Sequence, residues 1–198
     1  MKNFLSIVAL SLVVSMSAYA KVYIDKELNF CEPRPKDIND SRMCDMDNVP
    51  ITGLLKEFNS NGDLASEVNY KVGKPEGLAK YYYESGDLAS EVNYKDGKLE
   101  GLLKEYYENG NLESVMNFKN DKVNGIHKTY YENGNLKSEL NSNDKPEGLV
   151  KIYYKNGNLE VEVNFKDGKP VSGYLYDING KRTKMTNAHI HNLTKDLK

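Results

Sequence analysis

The sequence predicts an all-β fold: an elongated, single-sheet antiparallel β-meander built from tandem hairpin repeats of about 24 residues. Three observations predict it. The segment Gly101 to Asn124, GLLKEYYENGNLESVMNFKNDKVN, has near-copies opening at Gly53, Gly77, Gly125 and Gly148, with leading glycines 24, 24, 24 and 23 residues apart. A period of this length marks a linear array in which each unit leans on its neighbours. An Asn-Gly or Ser-Gly step sits inside every copy, and further turn signals at Val72-Gly73, Asp96-Gly97 and Asp167-Gly168 join one copy to the next. Apolar and polar residues alternate on both sides of the inner step, which is the period of a strand.

Each copy therefore reads as a hairpin. Positions are counted from the leading glycine as zero. Asn-Gly between alternating runs favours a two-residue type I′ turn, in which both residues take positive φ. With that loop, position n pairs with position 17 minus n. Lys56 then faces Glu67, Lys80 faces Glu91, Lys128 faces Glu139 and Lys151 faces Glu162, while Lys104 meets Val115. Opposite charges across a ladder contribute about 0.2–1 kcal/mol each, exposed ones at the low end, so they mark register more than they hold the sheet. The same pairing sets the aromatic of position 17 over the leading glycine. A three-residue loop with a bulge would shift it.

Alternation assigns two faces. One carries Tyr83, Tyr107, Tyr131 and Tyr154 of position 6 with the leucines of position 11. On the other, Leu54, Leu78, Leu102, Ile126 and Leu149 flank the Lys–Glu rows, together with Phe58, Tyr82, Tyr106, Tyr130 and Tyr153. Tyr82, Tyr106, Tyr130 and Tyr153 are the candidate binding residues, because tyrosine offers a large contact area at low entropic cost.

Residues 1–20, one lysine and an apolar run ending Ala18-Tyr19-Ala20, read as a secretory signal. The expected location is thus periplasmic, cell-surface or secreted, with no cysteine at Lys21 to carry a lipid. Residues 21–52 form an N-terminal cap. Its two cysteines, Cys31 and Cys44, are the only ones in the chain, and in an exported protein they predict a disulfide. Closing that loop is worth about 3 kcal/mol in the chain-entropy model. ELNF at Glu27 to Phe30 echoes positions 14 to 17, so Tyr23 to Phe30 reads as the second strand of a decayed first unit.

Residues 53–176 are the repeat domain. Its fourth unit is one residue short around Asn141 to Glu147, with Ser142 in place of the aromatic, a loss that a turn absorbs and a strand could not. A truncated sixth copy opens at Gly173. Residues 177–198 form the C-terminal cap, where Ile190, Leu193 and Leu197 at helical spacing predict a short helix over the last edge. His189 and His191 lack a third ligand, so no metal is expected, and His127 is a packed residue of the apolar face.

The pattern G-x-x-K-x-Y-Y-x-N-G-x-L-x-S-E-x-N-F-K-x-G-K, clearest from Gly77 to Lys98 and Gly101 to Lys122, resembles the MORN repeat in its bacterial variant, over about residues 53–176. Chains of that kind are often labelled antitoxin components of toxin-antitoxin systems, a label that sits badly with a signal peptide. This sequence departs from the best-known MORN pattern in having no tryptophan. The resemblance implies an elongated meander used for protein contacts or, in some members, lipid contacts, with any catalysis in a separate domain.

Composition excludes further classes. With 27 basic and 29 acidic residues the formal charge is −2, and −3 without Lys2, which argues against nucleic acid and against acidic membrane lipid as partners. No Ser-His-Asp or Cys-His set has a workable spacing, and no glycine-rich loop precedes a helix. Neither an enzyme nor a cofactor is expected. Two functions follow: an exported scaffold that binds another protein, or a second copy of itself, through the tyrosine-rich face, and alternatively a glycan- or cell-wall-binding module.

Overall fold

The computed structural model describes residues 29–30, 43–44, 49–143 and 145–190. Residues 1–20, where a secretory signal is expected, Cys31, and the tail beyond Ile190 with His191, Leu193 and Leu197 lie outside the described residues. The described chain is all-β except for one turn of helix at 187–190, and it divides into two compact units. The first comprises residues up to 112 with 117–122. The second comprises 113–116 and 123–190.

In the first unit, β1 (Asn29–Phe30) pairs with β2 (Met43–Cys44), and β3 (Gly53–Phe58), β4 (Leu64–Lys71), β5 (Lys74–Tyr82), β6 (Leu88–Lys95) and β7 (Lys98–Tyr106) follow as an antiparallel meander in chain order. Strand β8 (Leu112–Lys119) has residues in both units. In the second unit, β9 (Lys122–Tyr130), β10 (Leu136–Asn143), β11 (Gly148–Tyr153), β12 (Leu159–Lys166), β13 (Lys169–Tyr176) and β14 (Arg182–Lys184) pair in the same sequential way.

The predicted register is present, but by a different route. The inner turn is not the two-residue type I′ loop. Asn59 N–H donates to Asp63 O at 2.8 Å and Gly62 N–H to Asn59 O at 3.0 Å, enclosing a three-residue loop in which Gly62 alone has positive φ, +87°. The same two bonds recur at Tyr83/Asp87, Tyr107/Asn111, Tyr131/Asn135, Tyr154/Asn158 and Asp177/Lys181. This is a type I turn closed by a left-handed glycine. Such a loop moves the register by one residue, and a bulge moves it back. Pairing passes from Glu57↔Ser66 to Phe58↔Leu64, leaving Ala65 over. The same step occurs at Tyr82↔Leu88 and Tyr153↔Leu159. The two shifts cancel, so Lys56↔Glu67, Lys80↔Glu91, Lys128↔Glu139 and Lys151↔Glu162 pair as expected, and Gly53↔Tyr70, Gly77↔Tyr94 and Gly148↔Phe165 do too.

The bulge corrects one assignment of faces. A residue gained at position 12 reverses the alternation beyond it. Leucines Leu64, Leu88, Leu136 and Leu159 therefore stand opposite Phe58, Tyr82, Tyr130 and Tyr153 instead of joining the position-6 tyrosines. Type I′ turns occur at the joins between copies, where Val72-Gly73, Asp96-Gly97, Asn120-Asp121 and Asp167-Gly168 all have positive φ.

The sixth copy is also framed differently. Val163 pairs with Gly173, as Val68 pairs with Ala79, so Gly173 occupies position 2 and the copy opens at Val171. Its loop, Asp177 to Lys181, is the standard one, but no bulge follows: Tyr174↔Lys184, Leu175↔Thr183 and Tyr176↔Arg182 keep one register. Without the bulge, position 14 turns to the buried face, and there the chain has Met185, 8% exposed, in place of glutamate. Met185 packs with Leu140, Val150, Val163 and Phe165, and Ile190 of the helical turn leans on this cluster. That turn is capped reciprocally. His189 N–H donates to Thr186 Oγ1 at 3.3 Å and Thr186 N–H to His189 Nδ1 at 3.2 Å.

At the N-terminus, Asn29–Phe30 pairs with Met43–Cys44 instead of extending the array beside β3. The return strand is anchored on the first copy, with Met43 N–H donating to Gly73 O at 2.8 Å and Ile51 N–H to Met43 O at 3.1 Å, and it offers Asn29–Phe30 a local partner. Cys44 is fully buried. The short fourth unit absorbs its missing residue in the turn: β11 starts only at Gly148, while Glu139↔Lys151 keeps the register.

Neighbouring copies are tied at both ends of the strands. At the inner turns, Tyr131 Oη donates to Tyr153 O at 2.7 Å and Tyr154 Oη to Tyr176 O at 2.8 Å, and Tyr83 makes the same bond to Tyr106 O. At the joins, the carboxylate before a leading glycine accepts a turn N–H from the next copy: Glu76 from Asp96 at 2.8 Å, Glu100 from Asn120 at 3.0 Å, Glu147 from Asp167 at 2.9 Å. These bonds satisfy turn groups that the ladder leaves over.

Candidate functional site

Burial separates the two faces. In the first unit Val68, Ala79, Val92 and Leu103 line one face and are buried. Tyr70, Tyr81 and Tyr94 share that face, with Tyr81 and Tyr94 hydroxyls 3.4 Å apart. Burial, then the negative charge of Glu57, pushes the Tyr70 phenol up to about 12, and burial raises Tyr81 further. These tyrosines are structural.

The opposite, open face carries the candidate residues in three rows. The middle row runs Lys56, Glu67, Lys80, Glu91, Lys104, because each position-14 glutamate faces the lysine of its own copy and that of the next. Lys56 Nζ lies 2.8 Å from Glu67 Oε1, and Lys104 Nζ lies 2.7 Å from Glu91 Oε1. Lys104, whose own copy offers Val115, thus takes its acid from the preceding copy. Tyr82 Oη donates to Glu67 Oε2 at 2.8 Å and Tyr106 Oη to Glu91 Oε1 at 3.0 Å. Lys56 first, then Tyr82, hold the Glu67 carboxyl below its usual range, and Lys104 does most to lower Glu91. Burial and the facing carboxylate raise the Tyr82 and Tyr106 phenols.

Tyr82 and Tyr106 are therefore half-buried parts of a Lys–Glu–Tyr lattice, fixed at one end by their hydroxyls. The third row, Leu54, Leu78 and Leu102, is 53%, 40% and 46% exposed. Asn69 and Asn93, also exposed, stand opposite Leu54 and Leu78.

The second unit repeats this on its own strands. Lys128, Glu139, Lys151 and Glu162 form the row, with Lys128 Nζ 3.0 Å from Glu139 Oε2. Tyr130 and Tyr153 are half-buried, and Ile126 and Leu149 are 54% and 45% exposed. The row ends on Tyr174, opposite Glu162, with the Arg182 guanidinium 4.4 Å from its ring centroid.

All four candidate tyrosines lie on open faces, two in each unit. Sequence alternation alone gave too little weight to the leucine row, whose side chains are exposed where the tied tyrosines are half-buried. It also missed the part played by Tyr83, Tyr131 and Tyr154, whose hydroxyls are spent on the next copy. No three His, Cys, Asp or Glu side chains gather into a metal site among the described residues. His127, at position 2, is 3% exposed and sits among the buried residues.

A comparison with curated proteins finds no match. The family of the MORN repeat variant matches five times in tandem, at residues 51–71, 75–96, 99–120, 123–144 and 146–167. These matches cover more than half of the chain and coincide with the five hairpins whose inner turns recur above. The chain belongs to the MORN repeat variant family.

Proposed function

We propose that this protein is an exported, non-enzymatic scaffold that holds a protein partner on the open sheet face, with a Cys31–Cys44 disulfide closing its N-terminal loop. One observation carries the proposal: a large aliphatic side chain stays about half exposed at the same position in copy after copy, at Leu54, Leu78 and Leu102. Leaving one such side chain in water is ordinary, but a regular row beside ordered ion pairs and tyrosines is the anatomy of an interface, with apolar anchors and a polar rim. The lattice of Lys104, Glu91 and Tyr106 holds that rim in place before any partner arrives, which lowers the ordering cost of binding.

The test is a photo-crosslinking amino acid placed at Leu78 or Leu102 in the cells that make the protein, with Glu108 at a turn tip as the control. A discrete protein adduct from the face positions and none from Glu108 is the expected result. Equal labelling from all three positions, or none from the face, would sink the proposal.

A further inference from the structure

Strand β5 lies between β4 and β6, but β3 stands at the end of its sheet. Among the described residues, Gly53–Phe58 take ladder partners from β4 alone, which leaves a row of N–H and C=O groups along the outer edge. The N-terminal cap follows the array's register and then stops. Ile51 N–H donates to Met43 O at 3.1 Å and Cys44 bridges Pro50, as Tyr70 pairs with Pro75 and Lys71 with Lys74 one copy on. Those pairings end at Ile51, two residues before the leading glycine.

The neighbour that β3 lacks is written elsewhere in the same unit. Gly53–Phe58 reads GLLKEF, and Gly101–Tyr106 of β7 reads GLLKEY. On β7, this stretch is covered by β6, with Ser90 opposite Glu105, Glu91 opposite Lys104 and Val92 opposite Leu103. Lys104 Nζ lies 2.7 Å from Glu91 Oε1, and Leu103 is buried. On β3 the matching Leu55 is half-exposed, although position 2 is buried at Ala79, His127 and Val150 too. Lys56 meets only the glutamate of its own copy, Glu67, whereas Lys80 stands between Glu67 and Glu91.

We infer that the outer edge of β3 is a strand-addition site for an extended segment of another protein that carries serine, glutamate and an aliphatic residue in succession. Paired as β6 pairs with β7, such a segment sets its serine opposite Glu57, its glutamate opposite Lys56 and its aliphatic residue opposite Leu55. The glutamate prolongs the Lys–Glu row by one member, and the aliphatic residue covers Leu55. Main-chain bonds to the bare edge hold the segment, and the side chains opposite Glu57, Lys56 and Leu55 select it. The site stands apart from Leu78 and Leu102, on β5 and β7, so the crosslinking test of the open face succeeds or fails independently of it.

The experiment uses the full chain and a fluorescent synthetic peptide, DLASEVN, the sequence shared by Asp63–Asn69 and Asp87–Asn93. Anisotropy should show saturable binding, and the reversed sequence NVESALD should not bind. The peptide DLASKVN sets lysine against Lys56 and should bind about tenfold more weakly, the swing from an opposite to a like pair across a ladder. Lys56→Glu should reverse that preference, binding DLASKVN more tightly than DLASEVN. Amide hydrogen exchange with saturating DLASEVN should slow within Gly53–Phe58 and nowhere else in the sheet. The inference is overturned if DLASEVN does not bind, if the reversed peptide binds equally, or if Lys56→Glu leaves the charge preference unchanged. It is equally overturned if the slowed amides lie on another strand, or if every amide of Gly53–Phe58 is already slow without peptide, because a second copy or the chain's own N-terminus then holds the edge.

Discussion

Met185 fills the space that a side chain at Gly173 would need. A Cβ built on Gly173 falls 2.7 Å from Met185 Sδ and 2.6 Å from the carbonyl oxygen of Glu162, and Met185 N–H donates to Gly173 O at 2.9 Å. Gly173 does not have positive φ, so close packing is what requires glycine here. Gly173→Ala should destabilise the protein by about 1–3 kcal/mol, the usual cost of overpacking. Adding Met185→Ala should recover little, because the Glu162 carbonyl still blocks the site. Urea unfolding of the single and double variants checks this, and a Gly173→Ala midpoint equal to the wild type would refute the sixth-copy frame that opens at Val171.

The hydroxyls of Tyr131 and Tyr154 each close a bond to a carbonyl one copy further on, at Tyr153 and Tyr176. Tyr131→Phe and Tyr154→Phe should each cost about 0.5–1.5 kcal/mol, the net value of one such bond. The rings and their packing remain, so the loss isolates the coupling between copies. In a linear array that coupling sets cooperativity, and the double variant should unfold over a broader urea range than either single. Unchanged midpoints in both singles would show that water replaces the tie at no cost.

Much of this architecture was legible in the sequence, and the illegible parts share a cause. The Lys56–Glu67 and Lys80–Glu91 pairs fixed the register correctly because charge, unlike apolarity, distinguishes one alignment from another. The turn was misassigned because Asn61-Gly62 suits both a type I′ loop and a type I loop closed by glycine. Since the bulge at Ala65 cancels the extra loop residue, the register gave no sign of the error. What the bulge changed was the side of Leu64 and Leu88, which no pairing argument tests. Gly173 misled for a similar reason. A glycine served as the marker of each copy, and here it marks a close approach inside a strand. The tie made by Tyr83 was hidden because tyrosine at that position satisfies the alternation whatever its hydroxyl does.

His127 is buried at a position where other copies have Leu55, Ala79, Leu103 and Val150, and desolvation holds its imidazole below the ordinary histidine range. The unfolded chain therefore takes up a proton, below about pH 6.5, that the folded chain does not. Stability should be fully present above that pH and fall as pH drops toward the folded-state value, by at most about 1.4 kcal/mol per pH unit. His127→Leu should remove that slope. Urea midpoints between pH 7.5 and 5.5 isolate the effect, because the lowered carboxylates of Glu67 and Glu91 begin to protonate only at more acid pH. Parallel slopes in wild type and variant would exclude His127 as the source.

Val72 takes the first left-handed position of a type I′ turn, φ +51°, where the other joins use Asp96, Asn120 and Asp167. A β-branched side chain is the poorest choice for that conformation, since its Cβ crowds the following carbonyl. Asparagine tolerates it. Val72 is 54% exposed, so little burial offsets the strain, and its N–H donates to Thr52 Oγ1 at 3.0 Å through the backbone, which any replacement but proline preserves. Val72→Asn should therefore stabilise the protein by about 1 kcal/mol, the lower end of the left-handed penalty. Differential scanning calorimetry would register this as a higher melting temperature. A lower one would mean that the Val72 side chain makes a contact worth more than the strain, and the N-terminal strand Met43–Cys44, bonded to Gly73 next door, is where that contact would be sought.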